Sequence, residues 1–155
     1  MNFATPKNQA HTVNGSTIQN SIRLVIADDR APAREGLKAF LTAPNPEIGL
    51  DWPELKCLPI QIVGEASDGL QAVQLVDRLH PDVVIMDVRM PGLDGIQATR
   101  MIKSQWPDVR VIILTFYGSH YEEAIRAGAD AFLLKGCPPG SLYECLVKVG
   151  LKLGG

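Results

Sequence analysis

The stretch Val83-Val84-Ile85-Met86-Asp87-Val88-Arg89-Met90-Pro91-Gly92-Leu93-Asp94-Gly95 decides the reading. Four apolar residues run into a single carboxylate, and a Pro-Gly turn and an Asp-Gly turn follow. A short continuous apolar run between turn signals reads as a strand buried on both faces of a sheet. Asp87 then stands at the carboxyl end of that strand, on the edge where open α/β sheets bind ligands. A carboxylate there is either an ionic partner or a reactive group, and its company must decide which.

Upstream, Ile22-Arg23-Leu24-Val25-Ile26-Ala27 reads as a first strand ending in Asp28-Asp29. Pro32 suits a first helical turn, and Ala33, Leu37, Phe40 and Leu41 form the stripe of a helix packed on a sheet. Residues 42–58 hold Pro44, Pro46, Trp52 and Pro53 and read as a long surface-loop insertion. A second strand is expected over 59–64. Asp68 follows as an N-cap, and Ala72, Leu75, Val76 and Leu79 mark the next helix, closed by Pro81. Residues 1–21 are polar without periodicity and read as a disordered leader.

Downstream of Gly95, Ala98, Met101 and Ile102 mark a helix that ends before Pro107. A fourth strand is expected over 109–114, terminating in Thr115. Ser119-His120-Tyr121-Glu122 has capping-box spacing and opens a short helix, with Gly128 as its stop. A fifth strand over 129–134 terminates in Lys135. Leu142, Cys145, Leu146, Val149 and Leu153 line the last helix. His80 and His120 lie among polar residues and are expected to be exposed and without a role.

Strand-helix alternation predicts an α/β fold, a parallel sheet covered on both faces by right-handed crossovers. All carboxyl ends of a parallel sheet share one edge. Asp28, Asp29, Asp87, Thr115 and Lys135 therefore converge from four separate places. One lysine does not neutralise three carboxylates, but a divalent cation would. Hard oxygen ligands suit Mg²⁺, which typically takes one or two carboxylates plus a phosphate oxygen. The remaining parts fit a phosphoryl group on Asp87, with Lys135 and the Thr115 hydroxyl on its oxygens.

The bulk numbers narrow the class. At 155 residues and 46% hydrophobic content the chain suits one globular domain. A net charge of −2 without a block of like charges argues against a large nucleic-acid footprint. Cys57, Cys137 and Cys145 show no metal or disulfide spacing and read as buried packing residues. No run approaches the length of a membrane span, and no apolar signal core opens the chain. The expectation is a cytoplasmic protein with no membrane partner.

Leu24-Val25-Ile26-Ala27-Asp28-Asp29, the Asp87–Gly95 stretch, Ile113-Leu114-Thr115 and Ala127-Gly128-Ala129-Asp130-Ala131-Phe132-Leu133-Leu134-Lys135 together resemble the receiver domain of two-component response regulators. The resemblance covers about residues 22–150, and its wording is nearest the NarL/FixJ group that carries LuxR-type helix-turn-helix outputs. It implies a doubly wound, flavodoxin/CheY-like (βα)5 fold with strand order 2-1-3-4-5, a receiver domain over 22–153. A sensor histidine kinase or phosphotransfer protein would donate phosphoryl to Asp87. Asp29, Asp87 and the main-chain carbonyl of Arg89 would hold Mg²⁺, with Asp28 assisting through water. Thr115 and Phe132 would form a switch pair that changes the surface of the last two helices and the fifth strand. A partner or output domain would read that surface to regulate transcription, and a homodimer through the last helices is the family's habit.

The chain departs from the family at several points. No output domain follows in this chain, so DNA would be contacted only through one lying elsewhere. The segment between Thr115 and Gly128 is slightly short. Phe116 is bulky where a small residue is usual, and is expected to gate access to Asp87. Arg89 is placed to shape dephosphorylation. Among rival classes, a dehalogenase-type phosphatase would need an acid where Arg89 stands. A flavodoxin-like cofactor site would be repelled by Asp28-Asp29, and no P-loop is present. The alternative that survives is a receiver-like interaction module acting without phosphorylation.

Overall fold

The computed structural model describes residues 11–13, 16–18, 21–43 and 59–150. Two short strands come first, β1 (His11–Val13) and β2 (Ser16–Ile18), paired antiparallel. The expectation of an unstructured leader over 1–21 is corrected at residues 11–13 and 16–18, while 1–10, 14–15 and 19–20 lie outside the described residues. The sequence carried the signal: β-branched Thr12, Val13, Thr17 and Ile18 flank Asn14-Gly15, a two-residue hairpin signature.

Next come β3 (Ile22–Ala27), α1 (Ala31–Thr42), β4 (Ile60–Ala66), α2 (Gly69–Leu79), β5 (Val83–Met86) and α3 (Gly95–Gln105). β6 (Arg110–Thr115), α4 (Tyr121–Arg126), β7 (Ala131–Leu134) and α5 (Pro139–Gly150) complete the order. Thr42, placed in the loop by its sequence, is the last residue of α1. The rest of the expected insertion beyond Ala43, together with Trp52, Cys57 and Leu153, lies outside the described residues.

β4-β3-β5-β6-β7 is the order of the five-stranded sheet, and every pairing in it is parallel. Numbered among themselves, these strands run 2-1-3-4-5, as the family resemblance implies. The two faces divide the residues of β5. Val84 and Met86 pack with Ala72, Val76, Ile102 and Ala124 from α2, α3 and α4. Val83 and Ile85 pack with Leu41, Leu142 and Leu146 from α1 and α5. All four β5 residues are buried because each face carries its own apolar layer.

Local chemistry sets most element ends. Asp68 caps α2 by accepting the Gln71 N–H. Asp94 and Gln97 form a reciprocal capping box on α3. β4 runs two residues past Gly64, where a Cβ would meet the Leu79 and Leu75 side chains of α2 at 3.2 and 3.3 Å, so the glycine eases the close packing of α2. The expected capping box at Ser119 does not form. Gly118–His120 is a 3₁₀ turn, α4 starts at Tyr121, and its N-cap residue His120 makes no side-chain cap bond. At the other end of α4 the predicted stop holds. Gly128, at φ +100°, donates to the Ile125 carbonyl while Ala129 donates to that of Ala124. That pair of bonds is a Schellman closure.

Candidate functional site

Asp28, Asp87 and Lys135, each the first residue past its strand, are each held by one main-chain bond reaching past the end of the ladder. Asp28 N–H donates to the Ala66 carbonyl at 3.0 Å, and Asp87 N–H to that of Ala27 at 2.9 Å. Lys135 N–H donates to the Thr115 carbonyl at 2.8 Å. The sheet thus delivers side chains from β3, β5, β6 and β7 to one place.

Asp28 and Asp87 are buried, at 6% and 7% exposure, and Asp29 is exposed. Carboxylate oxygens of the three lie within 4.8 Å of one another. Lys135 bridges two of them, its Nζ donating to Asp28 Oδ2 at 2.6 Å and to Asp87 Oδ2 at 2.9 Å. The second oxygens are also engaged. Asp28 Oδ1 accepts the Arg30 N–H at 2.9 Å, and Asp87 Oδ1 accepts the Val88 N–H at 2.7 Å. Asp29 has no ion pair or hydrogen bond on its carboxylate among the described residues. One ammonium and the exposed Arg30 guanidinium, its Nε 4.0 Å from Asp28 Oδ1, face three carboxylates, an acidic, all-oxygen donor set that fits a hard divalent cation.

Thr115 is fully buried at the end of β6, and its Oγ1 accepts a long 3.4 Å bond from the Tyr117 N–H. Phe132 stands apart from the acids. Its ladder partner is Ile113, and its half-buried ring packs edge-on against Tyr121 at 5.4 Å. Phe116 projects outward with 58% of its surface exposed.

Two glycines shape the loop that follows Asp87. Gly95 N–H donates to the Val88 carbonyl at 2.8 Å, and a Cβ on Gly95 would sit 1.8 Å from the Asp87 carbonyl oxygen. Gly69, opening α2, donates to the Leu93 carbonyl at 3.0 Å, and its Cβ would fall 2.2 Å from that oxygen. The close approach explains why the Asp94-Gly95 pair follows the strand so soon.

Several residues of the site escaped the sequence reading. Arg30, beside the two acids, places its guanidinium 5.2 Å from the Phe116 ring centroid. Arg34 donates to the Asp28 carbonyl at 2.6 Å and so braces the turn after β3. Tyr117 lies under Arg89, whose Cζ is 3.7 Å from its ring centroid. His120, expected to be exposed, is half-buried, with a buried Nε2 that meets no protein partner among the described residues. It lines a cavity of about 460 Å³ together with Asp29 and Arg89. Cys137 and Cys145 are half-buried rather than core residues.

Comparison with known proteins gives consistent relatives. A family model described as the response regulator receiver domain matches residues 55–147. Those residues include Asp87, Thr115, Phe132 and Lys135, while Asp28 and Asp29 precede them. The transcriptional regulatory protein YhcZ of Bacillus subtilis (strain 168) is 37% identical over 125 residues, covering 79% of this chain and 52% of that protein. The nitrate/nitrite response regulator protein NarL of Escherichia coli (strain K12) is 30% identical over 133 residues, covering 83% of this chain and 54% of that protein. The chain therefore spans about half the length of the curated relatives it matches. A two-component response regulator of the LuxR family from Aurantimonas sp. SI85-9A1 superimposes with a TM-score of 0.72 at 26% identity, covering 84% of this chain and 85% of that one.

Proposed function

The chain belongs to the response-regulator receiver domain family, and on that premise we propose that it is a phosphorylation-dependent signalling receiver with Asp87 as its phosphoacceptor. The observation that carries this reading is the meeting of three carboxylates under one ammonium at the sheet edge. The donor is a sensor histidine kinase or a phosphotransfer protein. An Asp87 carboxylate oxygen attacks phosphorus, the phosphorus–nitrogen bond of a phosphohistidine breaks, and an acyl phosphate remains on Asp87. Asp29, Asp87 and the Arg89 main-chain carbonyl would hold Mg²⁺, with Asp28 acting through water. When bound, Mg²⁺ neutralises charge on the phosphoryl oxygens.

The chain's own groups do the rest. Lys135 starts on Asp28 and Asp87, and formation of the acyl phosphate moves the negative charge from the Asp87 carboxylate onto the phosphoryl oxygens. Its ammonium then turns to a phosphoryl oxygen while its main chain stays tied to Thr115. The Thr115 hydroxyl gives up little by turning toward the phosphoryl group, because a 3.4 Å bond lies outside the usual N–H···O range. The Phe132 ring follows into the vacated space and disturbs its contact with Tyr121 on α4. The altered surface of α4, β7 and α5 is what a partner, a second copy or an output domain reads. Similarity to transcriptional regulatory proteins supports the further reading that the output is transcription, with DNA bound by a separate domain and the cytoplasm as the place of action. No helix among the described residues is long and apolar enough to cross a membrane. The domain catalyses only its own phosphorylation and dephosphorylation.

The test uses acetyl phosphate with Mg²⁺ and intact-mass spectrometry. The parent should gain one phosphoryl group and Asp87→Asn should gain none. An equal response from both sinks the phosphoacceptor reading and leaves the interaction module that works without phosphorylation.

A further inference from the structure

Phe116 directly follows the buried Thr115, one residue past the end of β6, where the apolar layers no longer cover the chain and its ring is exposed. The ring is exposed but not isolated. Lys135 Nζ lies 5.0 Å from its centroid and Arg30 Cζ lies 5.2 Å from it. Both distances fall within the roughly 6 Å reach of a cation–π contact. The three residues come from three different segments of the carboxyl edge. Arg30 follows the two acids after β3, Phe116 follows β6, and Lys135 follows β7. Lys135 is also the ammonium lying on Asp28 and Asp87. A ring resting on that ammonium therefore covers one approach to the reactive carboxylate.

We propose that Phe116, held in place by Arg30, is a lid over the Lys135–Asp87 pair that slows both small phosphodonors reaching Asp87 and water reaching the phosphorylated residue. This rests on the phosphoacceptor reading above and adds its regulation. The hydrolysis it restrains is a simple displacement. Water oxygen attacks phosphorus, the bond from phosphorus to the Asp87 oxygen breaks, and inorganic phosphate leaves with Asp87 restored as a carboxylate. Removing the ring has two opposing effects, wider access and a less shielded lysine. Access wins, because Lys135 is kept in position by charge-assisted bonds of 2.6 and 2.9 Å to the two carboxylates, not by the ring. With more than half its surface exposed, Phe116 can be truncated without opening a core cavity.

The experiment follows the whole chain with Mg²⁺ and acetyl phosphate, measuring the phosphorylation rate and, after donor removal, the loss of phosphoryl. Arg30→Ala should raise both rate constants about two- to fivefold, the size of one exposed cation–π contact. Phe116→Ala should raise both by at least as much, and Phe116→Tyr should restore parental rates. The lid is overturned if Phe116→Ala and Arg30→Ala both leave the two rates within measurement error of the parent, or if only one of the two steps accelerates. Asp87→Asn run beside them separates the premise from the lid. Labelling of that variant at the parental rate would remove the phosphoacceptor reading and the lid with it.

Discussion

Asp29→Asn should make the metal-free protein more stable while abolishing its response to Mg²⁺. In the folded state Asp29 faces two carboxylates whose oxygens come within 4.8 Å and one ammonium that is already shared by those two. A pair of unit charges at that distance is worth about 3.5 kcal/mol at an effective dielectric of about 20 and about 0.9 kcal/mol in bulk water. Asp29 is exposed, so the water-like value applies. Two repulsions of that size, partly offset by Lys135 and by the Arg30 guanidinium 4.0 Å from Asp28 Oδ1, leave a gain of up to about 1 kcal/mol on neutralising it. For a domain of this size that is about 3–5 °C in melting temperature. Mg²⁺ works in the other direction on the parent. At ten times its dissociation constant it stabilises by about 1.4 kcal/mol, provided it binds only the folded chain. Thermal melts at neutral pH in EDTA and in MgCl₂ should therefore cross, with the variant higher without the ion and the parent higher with it. The gap in EDTA should shrink in high salt. If Asp29→Asn melts below the parent in EDTA, or gains as much from Mg²⁺, the electrostatic account of the site is wrong.

Gly95→Ala should cost about 3–4 kcal/mol or more, because its Cβ would overlap the Asp87 carbonyl oxygen at 1.8 Å and the main chain there must move. Chemical denaturation reads the loss, and the same variant should lose its Mg²⁺ stabilisation. Burial pushes the Cys145 thiol above its ordinary pKa of 9.0, which leaves less reactive thiolate at neutral pH. Peptide-resolved iodoacetamide labelling should find it slower than free cysteine, with the rate still climbing at pH values where free cysteine has levelled off.

The sheet was legible because β5 is a short apolar run with an abrupt charged end, and because its two faces both need apolar cover. The convergence of Asp28, Asp29, Asp87, Thr115 and Lys135 followed from parallel topology alone, since it needs only strand ends and not side-chain detail. The strand order came from family resemblance, which no local pattern supplies. What could not be read depends on contacts between distant segments. Nothing near Phe116 in sequence announces that Arg30 and Lys135 lie on its ring. The Ser119 capping box fails although its spacing is right, because the chain enters α4 through a 3₁₀ turn and Tyr121 packs on Phe132 of the neighbouring strand. The β1–β2 pairing had a local signal in Asn14-Gly15, overridden by the polar composition around it.

The same ladder that makes the site predictable also keeps it under electrostatic load. Asp28, Asp87 and Lys135 are each the first residue past a strand, and each is fixed by its own N–H to a neighbouring strand's last carbonyl. The carboxylates therefore cannot relax by moving their main chains apart without breaking sheet bonds. Rotating the side chains is no easier, since each buried carboxylate would lose a main-chain donor at 2.7–2.9 Å as well as the lysine. Only two changes relieve the repulsion, the arrival of a cation or the removal of a carboxylate charge. The apolar layers on either side of the sheet carry the fold regardless, with Ile26, Ile85, Met86, Ile112 and Ile113 almost wholly buried. Each such side chain contributes about 1.5–3 kcal/mol, more than the about 1 kcal/mol that the acids stand to regain. A receiver built this way tolerates a strained edge in its resting form, and that strain makes the edge responsive to charge and leaves the core unaffected.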